Sequence, residues 1–240
     1  MILSGREIQA QLAAALALDE DLGPLRALLQ AEEGRRAAGA RRPDLRWALA
    51  RGAGRLLRSP TVFEDAVKTL CTTNCTWAVT RGLVARLCAE LGDAGPGGER
   101  AFPTPAAMAA RPEAFYRDVI RAGYRARSLA RLARDVEGGR LDLEGLRGAP
   151  ITAGELVRRL QALDGFGPYA AEHLARLLGH HGHLALDSWT RRRFQELRGM
   201  RRQPADRTVR RFYAPYGRFA GLALWLDVTA DWFGEVPAWP

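Results

Sequence analysis

Apolar residues fall at helical spacing almost throughout this chain, and no stretch alternates as a strand would. The clearest case is residues 155–163, where Leu156, Val157, Leu160 and Leu163 form one stripe. Gly165-Phe166-Gly167-Pro168 follows, then a second stripe of Ala170, Ala171, Leu174, Leu177 and Leu178. The glycines permit a tight turn with positive φ, and Pro168 suits the first position of a helix, where an N–H has no partner to lose. Similar stripes predict helices over 9–18, 22–33, 45–57, 77–91, 105–110, 113–120, 126–136, 188–197, 207–213 and 219–232. A further long helix is predicted to start at Phe63, with Val62, Ala66, Val67 and Leu70 as its stripe. Asp19 to Asp21, Asp44, Thr61 and Asp187 stand where N-caps belong. Residues 35–43 read as a basic linker, 95–104 as a loop, and Gly123-Tyr124-Arg125 as a tight connection.

A helix–Gly-x-Gly–helix unit points backbone N–H groups outward at a helix N-terminus, which binds a phosphate without needing a side chain. Gly-x-Gly alone is a weak motif, equally at home in an ordinary αα-turn. Charge adds to it: the net charge is +9 and the pI about 10.4, which favours a polyanionic partner. Lys68 is the only lysine, so 35 of the 36 basic residues are arginine, a bias that a GC-rich genome also produces. The chain's 240 residues suffice for one large domain or two smaller ones sharing a core. No apolar run reaches the roughly 18–20 residues of a membrane span, and no signal peptide is visible. Membrane partners are not expected, and a cytoplasmic place is, nucleoid-associated in a bacterium.

Cys71, Cys75 and Cys88 form neither a C-x-x-C pair nor an even set, so no disulfide framework, zinc site or four-thiolate cluster is expected. Cys71 and Cys75, four apart, read as buried positions of one helix. His180, His181 and His183 lie in a loop with no cysteine nearby, and no metal is assigned to them.

In order, a Phe63-Glu64-Asp65 helix, Thr72-Thr73-Asn74, Gly123-Tyr124-Arg125-Ala126-Arg127, Leu163-Asp164-Gly165-Phe166-Gly167-Pro168-Tyr169-Ala170-Ala171 and Leu186-Asp187 resemble the helix-hairpin-helix DNA glycosylase superfamily. The resemblance runs from about Leu45 to Trp232. Thr72 to Asn74 and Gly123 to Arg127 are most similar to the 8-oxoguanine glycosylases. Tyr169-Ala170-Ala171 is more similar to the alkylated-base glycosylases. Both subfamilies often carry an N-terminal antiparallel sheet, and too few residues precede Leu45 to hold all of it.

The resemblance implies an all-α, two-lobed fold with the active cleft between the lobes. Residues 60–178 would form a central bundle with the hairpin, and 1–59 with 179–240 the second lobe. It implies a monomer acting on double-stranded DNA that contains a damaged base, with no cofactor. Gly165, Gly167 and Tyr169 fall in the DNA-gripping hairpin. Tyr124, beside Arg125, resembles the wedge that fills the gap left by a flipped nucleotide, and Asn74 the residue that bonds the orphaned opposite base. Taken singly, Tyr124 reads as a loop tyrosine and Asn74 as a capping residue. Asp187 resembles the catalytic carboxylate: near C1′ it stabilises positive charge on the sugar and orients or deprotonates water. By itself it reads equally as an N-cap.

Strand-cutting members have a lysine at the position of Tyr169, whose amine forms a Schiff base. A phenol cannot, so hydrolysis without strand cleavage is expected. The rivals are a lyase using Lys68 or the N-terminal amine, and a non-catalytic DNA-binding module. His173 stands where 8-oxoguanine glycosylases have a pocket cysteine, and Leu224, beside Trp225 and Asp227, where they have a base-reading glutamine. These four residues are the expected base pocket, and the departures favour a different lesion, such as a cationic alkylated purine held by aromatic faces.

Overall fold

The computed structural model describes residues 4–233, and these are helical with no strand; a single isolated antiparallel bridge joins Ala94 and Arg100. The N-terminal amine lies outside the described residues. The chain divides into two compact units, residues 1–58 with 175–240, and residues 59–174. Among the described residues, no helix is long and apolar enough to cross a membrane.

The first unit opens with α1 (Gly5–Ala15), α2 (Gly23–Ala37) and α3 (Arg46–Arg51). α1 starts at Gly5 rather than near Gln9, because its N-cap Ser4 forms a reciprocal capping box with Glu7. In α2 the expected acidic cap takes a different form: Asp21 accepts the N–H of Gly23 at 2.8 Å, and Pro24 stands in the first turn. The basic stretch read as a linker is partly helix. Arg35 and Arg36 close the last turn of α2, where Glu32 and Glu33 pair with them, and Arg42 folds back onto the buried Glu32. α3 is far shorter than its stripe, since Gly52 takes a left-handed conformation (φ 62°) and ends it.

The second unit holds α4 (Val62–Thr72), α5 (Trp77–Leu91), α6 (Pro105–Ala109), α7 (Glu113–Asp118), α8 (Ala126–Glu137) and α9 (Ala153–Gln161). α10 (Pro168–Leu177) runs across the boundary into the first unit. Thr61 caps α4 as expected, and Glu144 adds a cap from 82 residues away, taking the N–H groups of Val62 and Phe63 at 3.0 Å each. α8 is the central element, touching α4, α6 and α7. α4 stops at Thr72, so Cys75 lies beyond the helix that holds Cys71. Cys71 is buried, its thiol pushed up to about 12 by desolvation, whereas Cys75 is half-buried and donates to Cys71 O at 3.1 Å.

The first unit resumes with α11 (Ser188–Leu197), α12 (Asp206–Tyr213) and α13 (Ala220–Val228). α13 is apolar nearly all round, as a buried helix must be, and packs in a core with Leu25, Leu29, Trp47, Phe194 and Tyr213. Of the three histidines after α10, one has a clear packing role. His181 is buried, bonded through Nε2 to Glu20 Oε2 at 2.9 Å and stacked on Phe219. Among the described residues, no group of three or more His, Cys, Asp or Glu is placed to hold a metal ion.

Candidate active site

The turn between α9 and α10 uses its two glycines differently. Gly165 has φ +83°, and a Cβ there would stand 2.6 Å from Ser128 Oγ and 3.0 Å from Leu70 Cδ2. The fold itself therefore requires that glycine. Ser128 also donates to Asp164 Oδ2 at 3.1 Å, and Phe166 is buried, which pins the turn to α8 and the core of its unit. Gly167 has no positive φ, and a Cβ there would meet nothing within 4 Å. Nothing in the unit's own packing calls for a glycine at this exposed position, directly before the first turn of α10. A bare backbone there lets a phosphate come close to the helix N-terminus. Tyr169, in that first turn, stacks on His173 with ring centroids 5.7 Å apart.

The same unit brings Thr73, Asn74, Tyr124 and Arg125 together, although fifty residues separate the two pairs. The Tyr124 hydroxyl stands 3.1 Å from Thr73 Oγ1, 3.2 Å from Thr73 O and 3.3 Å from Asn74 Nδ2. Tyr124 is 63% exposed, a large aromatic held at its hydroxyl end with its ring open to solvent. Asn74 is exposed and left-handed (φ 45°), a conformation Asn tolerates better than most residues. Arg125, expected to touch DNA, is instead buried. Its guanidinium donates to the carbonyl and hydroxyl of Thr73 and to Ala122 O, and lies over the Tyr124 ring at 4.5 Å. α4 has just ended at Thr72, which leaves carbonyls without helical partners, and Arg125 satisfies one of them. It braces the Tyr124 pair from inside.

In the other unit, Asp187 is the N-cap of α11. Its Oδ1 accepts the Thr190 N–H at 2.7 Å and the Thr190 hydroxyl at 2.8 Å, and its own N–H donates to Thr190 Oγ1 at 2.9 Å. Oδ2 accepts no hydrogen bond among the described residues, and Asp187 is only half-buried. The carboxylate is thus fixed through one oxygen while the other stays open. Buried Leu184, Ala185 and Leu186 lead into it, and Ala185 takes a left-handed φ of 48°, a strained conformation for an alanine two residues from the carboxylate.

Trp189, one residue into α11, completes a group that the sequence did not signal except as an aromatic close to Asp187. Trp189, Trp225 and Trp232 lie 5.6–6.2 Å apart by ring centroids, and Arg176 stacks over Trp225 at 5.3 Å. Trp225 also lines a cavity of about 280 Å³ with Trp47, Leu56, Thr229 and Phe233, near the lower end for small-molecule pockets. The other two pocket residues expected on α13 are placed elsewhere. Leu224 is fully buried in the apolar core. Asp227 is buried, accepting from Tyr213 and Arg198, and desolvation raises its pKa above the ordinary value despite the arginine. Both point inward because α13 is wrapped by core on most of its surface.

Three solved structures share this architecture. MBOgg1, solved with a low-affinity DNA ligand, superposes with a TM-score of 0.74 at 20% identity over 97% of this chain and 78% of its own. An 8-oxoguanine glycosylase/lyase from Clostridium acetobutylicum, bound to dsDNA with cytosine opposite 8-oxoG, gives 0.73 at 20% identity over 97% and 78%. The 3-methyladenine DNA-glycosylase of Archaeoglobus fulgidus gives 0.73 at 21% over 98% and 79%. The chain has the helix-hairpin-helix DNA glycosylase fold. No protein-family model matches the sequence, and no curated protein does. Within that fold, the hairpin is the α9–α10 turn, and Asp187 stands at the start of the next helix.

Proposed function

We propose that this chain is a DNA glycosylase of base-excision repair, which flips a damaged base out of duplex DNA and hydrolyses its N-glycosidic bond without cutting the strand. The observation that carries the reading is the divided carboxylate of Asp187: one oxygen caps α11 and the other is open to a reacting group. A residue serving only as a cap has no need of the charge, since Asn caps as well. In the reaction, that charge stabilises the oxocarbenium-like sugar and orients the attacking water. The α9–α10 hairpin holds a backbone phosphate through the N-terminus of α10. Tyr124 stacks in the vacated space, and Asn74 bonds the unpaired base. Trp189 and Trp232, beside the Trp225 ring that Arg176 covers, offer aromatic faces to the extruded base, and such faces favour a cationic alkylated purine over a neutral one.

Hydrolysis, rather than lyase chemistry, is supported by the amines. Tyr169 occupies the place of the strand-cutting lysine. The chain's one lysine, Lys68, is engaged: Nζ lies 2.5 Å from Glu64 Oε1, 3.1 Å from Ser59 Oγ and 5.6 Å from the centre of the Phe102 ring. Held by a carboxylate and a hydroxyl, this amine is not free to attack a sugar carbon.

The test is a panel of duplexes, each with one lesion. The expected product is an intact strand with an abasic site, cut only after alkali, and borohydride traps no protein–DNA adduct. An efficient adduct would overturn the hydrolytic route, and its loss in Lys68→Ala would move the nucleophile there. Tight duplex binding with no excision of any lesion would favour a binding module instead.

A further inference from the structure

Nearly all the chain's net charge sits in one segment. Residues 188–218 hold ten arginines and two acidic residues, a net +8 against +9 for the whole chain. The segment covers α11, α12 and the loop between them. Eight of its arginines, all but Arg210 and Arg218, fall into two sets. Arg191, Arg193 and Arg198 are half-buried and paired with Asp206, with Glu196 and Asp231, and with Asp227 respectively. Arg192, Arg201, Arg202, Arg207 and Arg211 are exposed, with no ion pair among the described residues.

The exposed set is held on a rigid base. In α12, Val209 and Tyr213 point into the core, so Arg207 and Arg211, four apart, project from the opposite face about one turn from each other. Phe194, Phe212 and Tyr213 pack edge to face between α11 and α12, and the bidentate Arg191–Asp206 pair ties the two helix starts. Like charges at this spacing repel, and among the described residues no acidic side chain pairs with them. A fixed row of arginine forks matches phosphate oxygens bidentately.

We infer that the outer face of α12 and the preceding loop, through Arg201, Arg202, Arg207 and Arg211, is a second, sequence-independent contact for the phosphate backbone of duplex DNA, separate from the hairpin. It rests on the proposed glycosylase reading for the choice of duplex over other polyanions. The face supplies part of the protein's affinity for undamaged DNA, on the unit that carries Asp187.

The experiment measures anisotropy of a labelled undamaged duplex, and of its single strand, across a salt series. It compares the wild type, the triple variant Arg202→Gln/Arg207→Gln/Arg211→Gln, and the charge-matched control Arg6→Gln/Arg26→Gln/Arg41→Gln, whose arginines are exposed and scattered. Each lost phosphate contact removes about 0.9 from the log–log salt slope, so the patch variant should lose about 2.7 and bind the duplex roughly tenfold or more weakly at about 0.1 M salt. The control should keep the wild-type slope. Equal losses in both variants would reduce the effect to bulk charge and overturn the assignment, as would an unchanged slope or a loss confined to single strands. The lesion panel separates the two readings. Excision with an unmoved slope sinks the patch alone; a moved slope without excision sinks the glycosylase reading alone.

Discussion

Two helix starts in this molecule solve the same problem in opposite ways. Every α-helix begins with N–H groups that have no intrahelical partner. At α11 the chain supplies its own acceptor: Asp187 and Thr190 form a reciprocal box, and Arg191, in the same first turn, is clamped by Asp206. At α10 the residue before the helix is Gly167, which has no side chain to offer, and the next is Pro168, which has no N–H. One start is closed by its own side chains, with one carboxylate oxygen left over. The other has no side chain of its own at the cap position, which is a glycine the fold does not need. On the proposed reading, the difference separates a site that holds a charge still from one that admits a charge from outside.

The largest effect should come from Asp187→Asn. Asn is as good an N-cap as Asp, so α11 should stay formed and the melting temperature nearly unchanged. Loss of the charge should lower single-turnover excision by about 10²- to 10⁴-fold on any accepted lesion. Duplex binding should hold or tighten, since a negative charge near phosphates is gone. Full activity in this variant would return Asp187 to being a cap only and remove the contrast between the two starts.

The two hairpin glycines sharpen the comparison at the next scale. Gly165→Ala puts a Cβ against Ser128 and Leu70 at a left-handed φ, and should destabilise the protein by about 1–3 kcal/mol in urea melts. Gly167→Ala meets nothing and needs no unusual φ, so stability should be unchanged or up to about 1 kcal/mol higher. Its affinity for damaged and undamaged duplexes should nevertheless fall, and by similar factors. A Gly167→Ala protein that bound DNA like the wild type would leave the glycine at that start without a purpose.

What the sequence disclosed follows how local each feature is. Trp77–Leu91 and Ser188–Leu197 match their stripes, because a threonine or aspartate cap and a helix-length apolar pattern lie within the segment itself. The same locality made Asp187 legible as a cap, and the family pattern made it legible as a candidate catalytic carboxylate. Features set by distant residues were not legible. The acceptors of Arg125 exist only because α4 ends fifty residues earlier, so a basic residue beside an exposed tyrosine read as a DNA contact. The expected places of Leu224 and Asp227 rest on position along the chain alone, which does not tell which side of α13 faces the core. Trp189 meets Trp225 and Trp232 only after three segments fold together, and its spacing from Asp187 was the one local hint.

The smallest expected effect concerns how firmly the α11 start is held. Arg191 Nε and Nη2 donate to the two oxygens of Asp206 at 2.7 and 2.9 Å. That donation is the main reason the Asp206 carboxyl lies below its ordinary value, with desolvation opposing it. In the unfolded chain the group titrates near about 3.9. Its contribution to stability is therefore whole above about pH 5 and is lost as the pH falls through the lowered folded value, where both states bind the proton. The Asp206 side chain is 45% exposed, so solvent screening limits the pair to a few tenths of a kcal/mol. Asp206→Asn should thus melt about 1 °C below the wild type at neutral pH. The gap should close on acidification as the wild-type carboxylate takes up its proton. A gap that stayed constant from neutral pH to about pH 3 would mean that the substituted amide differs in packing rather than charge, and that the Asp187 box alone holds the start of α11.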